Sequence, residues 1–357
     1  MQDFFARHQI KAQKIAVAVS GGADSLALAL MAKEELAVFG YEIIALTVNH
    51  YLRPSSTREA SFVAEVMKVH GIEHHILEWT SEKPKTGIEE AARIARYQLL
   101  TDWCKQNGIK VLLTAHHQHD QAETFLMRLK RGSGLEGLCS MRAVCEKNGI
   151  TVARPLLHTA PETMRQYLMA RGIKWVEDES NIDTKYLRNR IRNFMPQLEA
   201  ETGITPQELE QTTFRLQSAE DYIEQQTAQT IATQGQQYPN AVYCFKHTDF
   251  LAWHREIKFR VIAHLCRRNY IPRAEHILHT IEMMNRLPFA GLTLGGKEIF
   301  SANGNIWIVP ELNAKRKPSR KAWEEFILAN PQYTQLKIPH KARIAILENI
   351  GENNDLQ

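Results

Sequence analysis

The regular alternation of short apolar runs with helical stretches between Ile15 and Gly132 constrains the fold of this chain more than any other feature. Ile15 to Val19 is apolar and β-branched and ends near a glycine pair, and SLALALMAKEEL follows with a helix-favouring composition. EIIALTVNH then reads as a strand, REASFVAEVMKVHG as a helix ending in Gly71, EHHILEW as a strand and IEEAARIARYQLLTDWCKQNG as a helix ending in Gly108. KVLLTAHH supplies a fourth strand and DQAETFLMRLKRG the helix after it. Helices of this length between strands imply right-handed crossovers, so the expected fold is α/β with a largely parallel sheet covered on both faces. Ligands bind such sheets beyond the carboxyl ends of the strands. The loops after Val19, Val48 and Thr114 are therefore expected to line one site.

The character changes at Leu198. ITPQELEQTTFRLQSAEDYIEQQ is acidic, glutamine-rich and helical in spacing, and reads as a connector over 198–238 following a first domain over 1–197. DFLAWHREIKFRVIAHLCRRN and AEHILHTIEMMNR read as two helices, and LTLGGKEIFSANGNIWIVP as strands joined by a Gly-Gly turn. Together they predict a small α+β domain over 239–312. The tail, 313–357, opens with KRKPSRK, is otherwise weakly patterned and is expected to be peripheral. No internal repeat is evident.

Composition excludes several classes. With 44% hydrophobic and 24% charged residues in 357, the chain reads as an ordinary soluble globular protein. Its longest apolar runs fall far short of the ~20 residues needed to span a bilayer, and MQDFFARHQIKAQ lacks a secretory-signal pattern. The expectation is a cytoplasmic protein without a membrane partner. Five scattered cysteines, none in a CxxC pair, suggest neither a disulfide framework nor a zinc ribbon. The net charge of +4 is unevenly distributed, with basic runs at Arg128 to Arg131, Arg188 to Arg192, Arg255 to Arg273 and Lys315 to Lys321. Such unevenness marks a polyanion-binding face, although any single run reads equally well as solvated surface.

The loop SGGADS, comprising Ser20, Gly21, Gly22, Ala23, Asp24 and Ser25, sits where a helix begins. Glycines let backbone N–H groups approach an anion, and the helix N-terminus adds about half a positive charge. Asp24 suits Mg²⁺ or a helix cap. The loop lacks the lysine of a Walker A motif, and alone it reads equally as a plain strand-to-helix turn. His50 and Arg53 follow a strand end, where a basic pair meets phosphate, nucleobase or solvent. Glu89, Arg93 and Arg96 fall near one helical face, a spacing typical of surface ion pairs. In AHHQHDQAET, His116, His117, His119 and Asp120 cluster, but no further motif supports a histidine-bound transition metal. If Asp120 opens a helix, Glu123 lies one turn later on the same face, and two such carboxylates suit Mg²⁺ or a general base. KRGSGLEGL carries Lys130, Arg131 and Ser133 on a glycine loop that reads as a helix C-cap or as a phosphate contact. Arg188, Arg190 and Arg192 alternate along a helix start and cannot all share a face.

SGGADS resembles the PP-loop of the N-type ATP pyrophosphatases, which cleave ATP between the α and β phosphates and adenylate a substrate. NHYLRPSS, IEEAARIARY, AHHQHDQAET, KRGSGLEGL, RPLL and WVEDESNIDTKYLRNRIR follow in order and narrow the resemblance to the tRNA(Ile)-lysidine synthetase family. That resemblance implies ATP and Mg²⁺ as cofactors, and L-lysine and a CAU-anticodon tRNA(Ile) as substrates. It implies an ATP site formed by Ser20, Gly21, Gly22, Ala23, Asp24, Ser25, His50 and His117, with Mg²⁺ on Asp24 and Asp120. Catalysis falls to Asp120, Glu123 and Arg93, and RNA contacts to Arg53, Lys130, Arg131, Ser133, Arg188, Arg190 and Arg192, with the α+β domain reading the tRNA body. A homodimer is left open. The family usually has HHxDDQ where this chain has His119 at the first acidic position, so no role is carried to His119. Two alternatives are a PP-loop tRNA thiolase, disfavoured by the lack of CxxC pairs, and a catalytically idle tRNA-binding homologue.

Overall fold

The computed structural model describes residues 1–84, 86–177, 185–268, 270–286, 288–289, 291–311 and 320–347. Asp178 to Thr184 of the last motif and Lys315 to Ser319 of the basic tail segment lie outside the described residues. The chain divides into two compact units, Met1–Glu220 and Asp221–Gln357, with the boundary inside a long helix.

The first unit begins with α1 (Gln2–Arg7), β1 (Lys14–Ala18) and α2 (Ala23–Leu36), and continues with β2 (Glu42–Asn49), α3 (Ser56–Val69), β3 (Glu73–Glu78), α4 (Ile88–Gln106), β4 (Val111–Leu113) and α5 (Gln118–Lys130). The alternation predicted from sequence is present element for element. Period two in the strands sorts their side chains onto two faces. Ile15, Val17, Ile43 and Ala45 join the core under α2 and α3, whereas Ala16, Ile44 and Leu46 join the core formed with Tyr97, Leu100 and Cys104 of α4. Helix α2 is apolar nearly all round, with Leu26, Ala27, Leu28, Ala29 and Leu30 buried, because α7 (Pro161–Met169) packs on the side that the sheet leaves open.

Strand order is β3-β2-β1-β4-β6-β5, where β5 is Val144–Lys147 and β6 is Ile150–Ala153. All neighbours pair in parallel except β5 with β6. The chain therefore runs outward from β1 through β2 to β3, then crosses back to place β4 on the other side of β1. This reversal opens a crevice beyond the carboxyl ends of β1 and β4, the ligand position of an open α/β sheet. The loop Val19 to Gly22 and the segment Thr114 to His117 are brought together there.

After α6 (Leu135–Leu138) and the β5–β6 hairpin, α8 (Leu187–Thr202) packs on α5, sharing a core with Ala122, Phe125, Met195 and Leu209. Helix α9 (Pro206–Gln234) occupies most of the expected connector and crosses from one unit into the other.

The second unit is α+β, as expected. Its antiparallel sheet has the order β7-β8-β11-β10-β9, from Gly235–Tyr238, Val242–Lys246, Asn305–Pro310, Lys297–Ala302 and Leu292–Leu294. The single helix read from DFLAWHREIKFRVIAHL is broken at Trp253 and His254 into α10 (His247–Ala252) and α11 (Arg255–Leu265), because both break residues have extended ψ values. Helices α11 and α12 (Ala274–Met284) cover one face of the sheet. Where the sequence suggested a peripheral tail, α13 (Arg320–Ala329) and α14 (His340–Leu347) cover the other face, with Phe326, Ala342, Ala345 and Ile346 buried against Trp307 and Val309. Short helices contributing only a few apolar residues each carry a weak periodic signal, which is why the tail read as unpatterned.

Candidate active site

The loop after β1 is shaped by two hydroxyls. The Ser20 N–H donates to Ser25 Oγ at 3.1 Å, Ser25 Oγ donates to the Gly22 carbonyl at 3.0 Å, and the two hydroxyl oxygens lie 3.2 Å apart. Gly21 has φ +91°, and a Cβ there would lie 3.2 Å from a methyl of Val63 and 3.6 Å from one of Val176. Only glycine fits both the left-handed backbone and the space. Gly22 is the N-cap of α2 and no side chain caps the helix, so the first-turn N–H groups have no side-chain acceptor. An anion of phosphate size fits that donor set.

Across the crevice, His117 caps α5. Its Nδ1 accepts the Asp120 N–H at 3.3 Å while its own N–H donates to Asp120 Oδ2 at 3.1 Å. With Nδ1 accepting, neutral His117 carries its proton on Nε2. That nitrogen lies 3.7 Å from Asp24 Oδ2 and 3.6 Å from Asp120 Oδ2, so one imidazole stands between the carboxylates of two different strand ends. His116 is pushed down to about 4 by burial and stays neutral, its Nδ1 3.0 Å from the Thr114 hydroxyl.

Asp120 and Glu123 share one face of α5, as their spacing predicted, and one guanidinium spans them. Arg188 lies 2.5 Å from Asp120 Oδ1 through Nη2 and 2.6 Å from Glu123 Oε2 through Nε, and Arg192 Nε donates to Glu123 Oε1 at 2.7 Å. The Glu123 side chain is 1% exposed, so its charge needs both partners. Burial works against the charge of Asp120, yet Arg188, His117, His116 and the His117 N–H hold it below the usual carboxylate range. Burial likewise opposes the charge on Arg188, but the two carboxylates outweigh it. Asp24 differs: burial raises it and Asp120 adds to that rise, while His117, Arg165 and Arg192 only partly offset it.

The other expected site residues are placed elsewhere. Arg93 donates to Glu90 at 2.6 and 2.8 Å in an exposed pair, the surface arrangement its spacing suggested, though with Glu90 as partner. His50 is pushed down to about 4 by burial, with Arg96 and Lys83 adding to the effect; Arg96 Nε reaches its Nε2 at 3.3 Å. Arg53 pairs with Glu59 at 3.4 Å. Lys130 and Arg131 are exposed and Ser133 half-buried on a loop fixed by Arg128, which donates to the Gly137 carbonyl at 2.6 Å. Arg190 is exposed, because residues two apart on α8 point to different sides, whereas Arg188 and Arg192, four apart, meet α5 together. Sequence reasoning left Arg188 and Arg192 among RNA contacts; their carboxylate partners are 65 to 69 residues away in the chain. It also missed Arg165, an exposed residue of α7 whose charge acts on Asp24.

Among the described residues no group of three or more histidine, cysteine or acidic side chains is arranged to hold a metal. Asp24 and Asp120, which flank His117 from two sides, are carboxylates of the kind that a hydrated Mg²⁺ takes one or two of, together with phosphate oxygens.

This chemistry agrees with what the chain is similar to. A model of the PP-loop domain matches residues 1–198, more than half of the chain, and the chain belongs to that PP-loop family, whose members use ATP. It is 48% identical over 188 residues to the tRNA(Ile)-lysidine synthase of Wolbachia pipientis wMel, covering 51% of this chain and 43% of that one. It is 43% identical over 212 residues to the protein of the same name from a Bradyrhizobium species, strain BTAi1, covering 59% of each. The corresponding Zymomonas mobilis protein is 39% identical over 223 residues, 61% of this chain and 66% of that one. The chain thus spans about half to two thirds of the length of these curated relatives.

Proposed function

We propose that this protein ligates L-lysine to C2 of cytidine 34 in the CAU anticodon of tRNA(Ile), consuming ATP and releasing pyrophosphate and AMP, in the cytoplasm. The observation that carries the reading is the opposition, across the β1/β4 crevice, of an anion-accepting loop without a lysine and the Asp24, His117, Asp120 and Glu123 cluster. A lysine in the loop would serve transfer of a γ phosphate. A loop that offers only backbone N–H groups and hydroxyls suits a pyrophosphate that must leave.

In the proposed reaction the cytosine O2 attacks the α phosphorus and the bond to pyrophosphate breaks. The lysine ε-amine then forms a bond to C2 as the C2–O bond breaks, and AMP carries off the former carbonyl oxygen. Free lysine has a side-chain pKa near ~10.4, so its amine must lose a proton first. Held charged by Arg188, Asp120 attracts that ammonium and passes its proton toward solvent. Glu123, locked by two guanidiniums, keeps Arg188 and Arg192 in place. Mg²⁺ would be held by Asp24, with Asp120 as a ligand only in the rival reading in which it does not serve the lysine amine, and would neutralise the phosphates. Arg53, Lys130, Arg131, Ser133 and Arg190 remain available as RNA contacts from more exposed positions, Arg93 as a cation near the nucleotide once it leaves Glu90, and His50 as a neutral acceptor or donor beside the nucleotide.

The thiolase alternative requires an accessible thiolate. Cys104, Cys139, Cys244 and Cys266 are buried, the first, third and fourth of them pushed up to about 12, and this leaves Cys145 alone, half-buried against Arg154, where a thiolase of this kind needs more than one thiol. Purified protein incubated with ATP, Mg²⁺, labelled lysine and CAU tRNA(Ile) is expected to incorporate label with one pyrophosphate per lysine. Binding of the tRNA without incorporation would sink the ligase reading in favour of an idle homologue.

A further inference from the structure

A second cavity, of about 360 Å³, lies within the first unit. Its wall combines the end of α1, the loop after β6 and the first half of α9, and its charged groups are Arg7, His158, Glu210 and Arg215. Arg7 and Arg215 are both exposed, and neither makes a hydrogen bond or ion pair among the described residues. Glu210 shares the wall as its one carboxylate; its side chain is 10% exposed and its Oε1 lies 2.5 Å from His158 Nδ1. Phe214, on the same wall, is 61% exposed and has no ring partner among the described residues.

The two guanidiniums outnumber the single carboxylate of this cavity, and their planar forks match phosphate oxygens. A bare anion leaves the exposed phenyl ring without a use. A phosphate carrying a flat aromatic group uses all three side chains, and the cavity is of a size for one such unit. We propose that this cavity docks one nucleotide of the RNA substrate away from the reacting base, with Arg7 and Arg215 on its phosphate and Phe214 against its base. The inference rests on the tRNA-modifying reading and names a subsite for that RNA. It also connects to the active site through backbone: the carbonyl of Thr159, the residue after His158, accepts the Gln118 N–H at 3.1 Å at the start of α5, the helix that carries Asp120 and Glu123. A nucleotide held here is registered against the catalytic helix by its first turn.

The test uses the full chain and an unmodified CAU tRNA(Ile) transcript, with binding followed by fluorescence anisotropy over a range of salt concentrations. The Arg7→Gln/Arg215→Gln double variant is expected to bind the RNA about tenfold or more weakly and to flatten the log–log salt dependence by about 1, with ATP binding unchanged. Lysine replacements at both positions keep the charge but not the fork and should recover part of the affinity. Phe214→Ala should weaken binding about fivefold or more. Wild-type affinity and salt slope in the double glutamine variant would overturn the site, as would competition by inorganic phosphate with no contribution from Phe214, which marks a simple anion site. The two readings fail separately: RNA binding that depends on these residues without lysine incorporation sinks the ligase activity alone. Lysine incorporation with unaffected RNA binding in the variants sinks this subsite alone.

Discussion

The PP-loop is held from its two sides by different physics. On the β2–β3 side the fastening is neutral: Thr47 Oγ donates to the Val19 carbonyl at 2.8 Å, and His74 Nε2 lies 2.8 Å from the same hydroxyl. A hydroxyl has one proton and Thr47 gives it to Val19, so His74 must donate its Nε2–H. On the β4 side the fastening is charged, with His117 between Asp24 and Asp120 and two arginines on Asp120 and Glu123. Neutral hydrogen bonds respond little to a charged ligand. An ion cluster whose charges interact at short range in a water-poor crevice responds strongly. The first side is a fixed floor, and the second is the part that a charged ligand would rearrange.

The largest expected effect breaks the charged side. Asp120→Ala removes the carboxylate that faces His117, Arg188 and the crevice, and lysine transfer should fall by roughly a thousandfold or more if it draws in and deprotonates the ammonium. Transfer RNA binding should change little. Single-turnover incorporation and RNA anisotropy on the same variant check this; a collapse of RNA binding alongside activity would make Asp120 structural.

A smaller effect separates the two arginines. Removing Arg192 leaves Glu123 with Arg188, so Arg192→Gln should cost about 1–2 kcal/mol in stability, whereas removing both leaves a carboxylate of 1% exposure unpaired. The double variant Arg188→Gln/Arg192→Gln should therefore lose more than the sum of the singles, about 3–5 kcal/mol, with Glu123→Gln in the same background recovering part of it. Thermal melting of wild type and these four variants measures this. Additive losses would mean that the arginines do not act as a unit on Glu123.

These arginines also mark where the sequence stopped being informative. The strand–helix alternation, the glycine loop and the Asp120–Glu123 spacing are local patterns, and each reports the structure it forms. The i,i+4 spacing of Arg188 and Arg192 predicts a shared face but not its partner, because α5 meets α8 only through tertiary packing. The charge of Arg165 acts on Asp24 from α7, a helix that no motif announced. The β5–β6 hairpin was legible and went unread: Asn148 and Gly149, with φ +50° and +72°, are the two-residue turn that Asn-Gly between short alternating strands signals. His74 was passed over for a different reason. A histidine in a strand carries no chemistry until its neighbours are known, and here they are Thr47 and the carbonyl that opens the PP-loop.

The smallest expected effect sharpens the neutral side. Burial, with a minor contribution from His75, lowers His74 to about 4 from an ordinary 6.5. Between those values the unfolded chain holds a proton on this ring that the folded chain does not, so the unfolded state binds more protons and stability rises with pH. The contribution is fully present above about 6.5 and is lost as pH falls toward 4, by about 1–2 kcal/mol once partial exposure of the ring is allowed for. His74→Gln keeps a donor that does not titrate and should flatten this part of the stability–pH curve relative to wild type, with melting followed at pH 7, 6, 5 and 4. An unchanged slope would show that His74 is not what couples pH to the floor of the loop. His50, also near 4, would then be the residue to replace next, and a response from His50 alone would move the neutral support from the Val19 carbonyl to the end of β2.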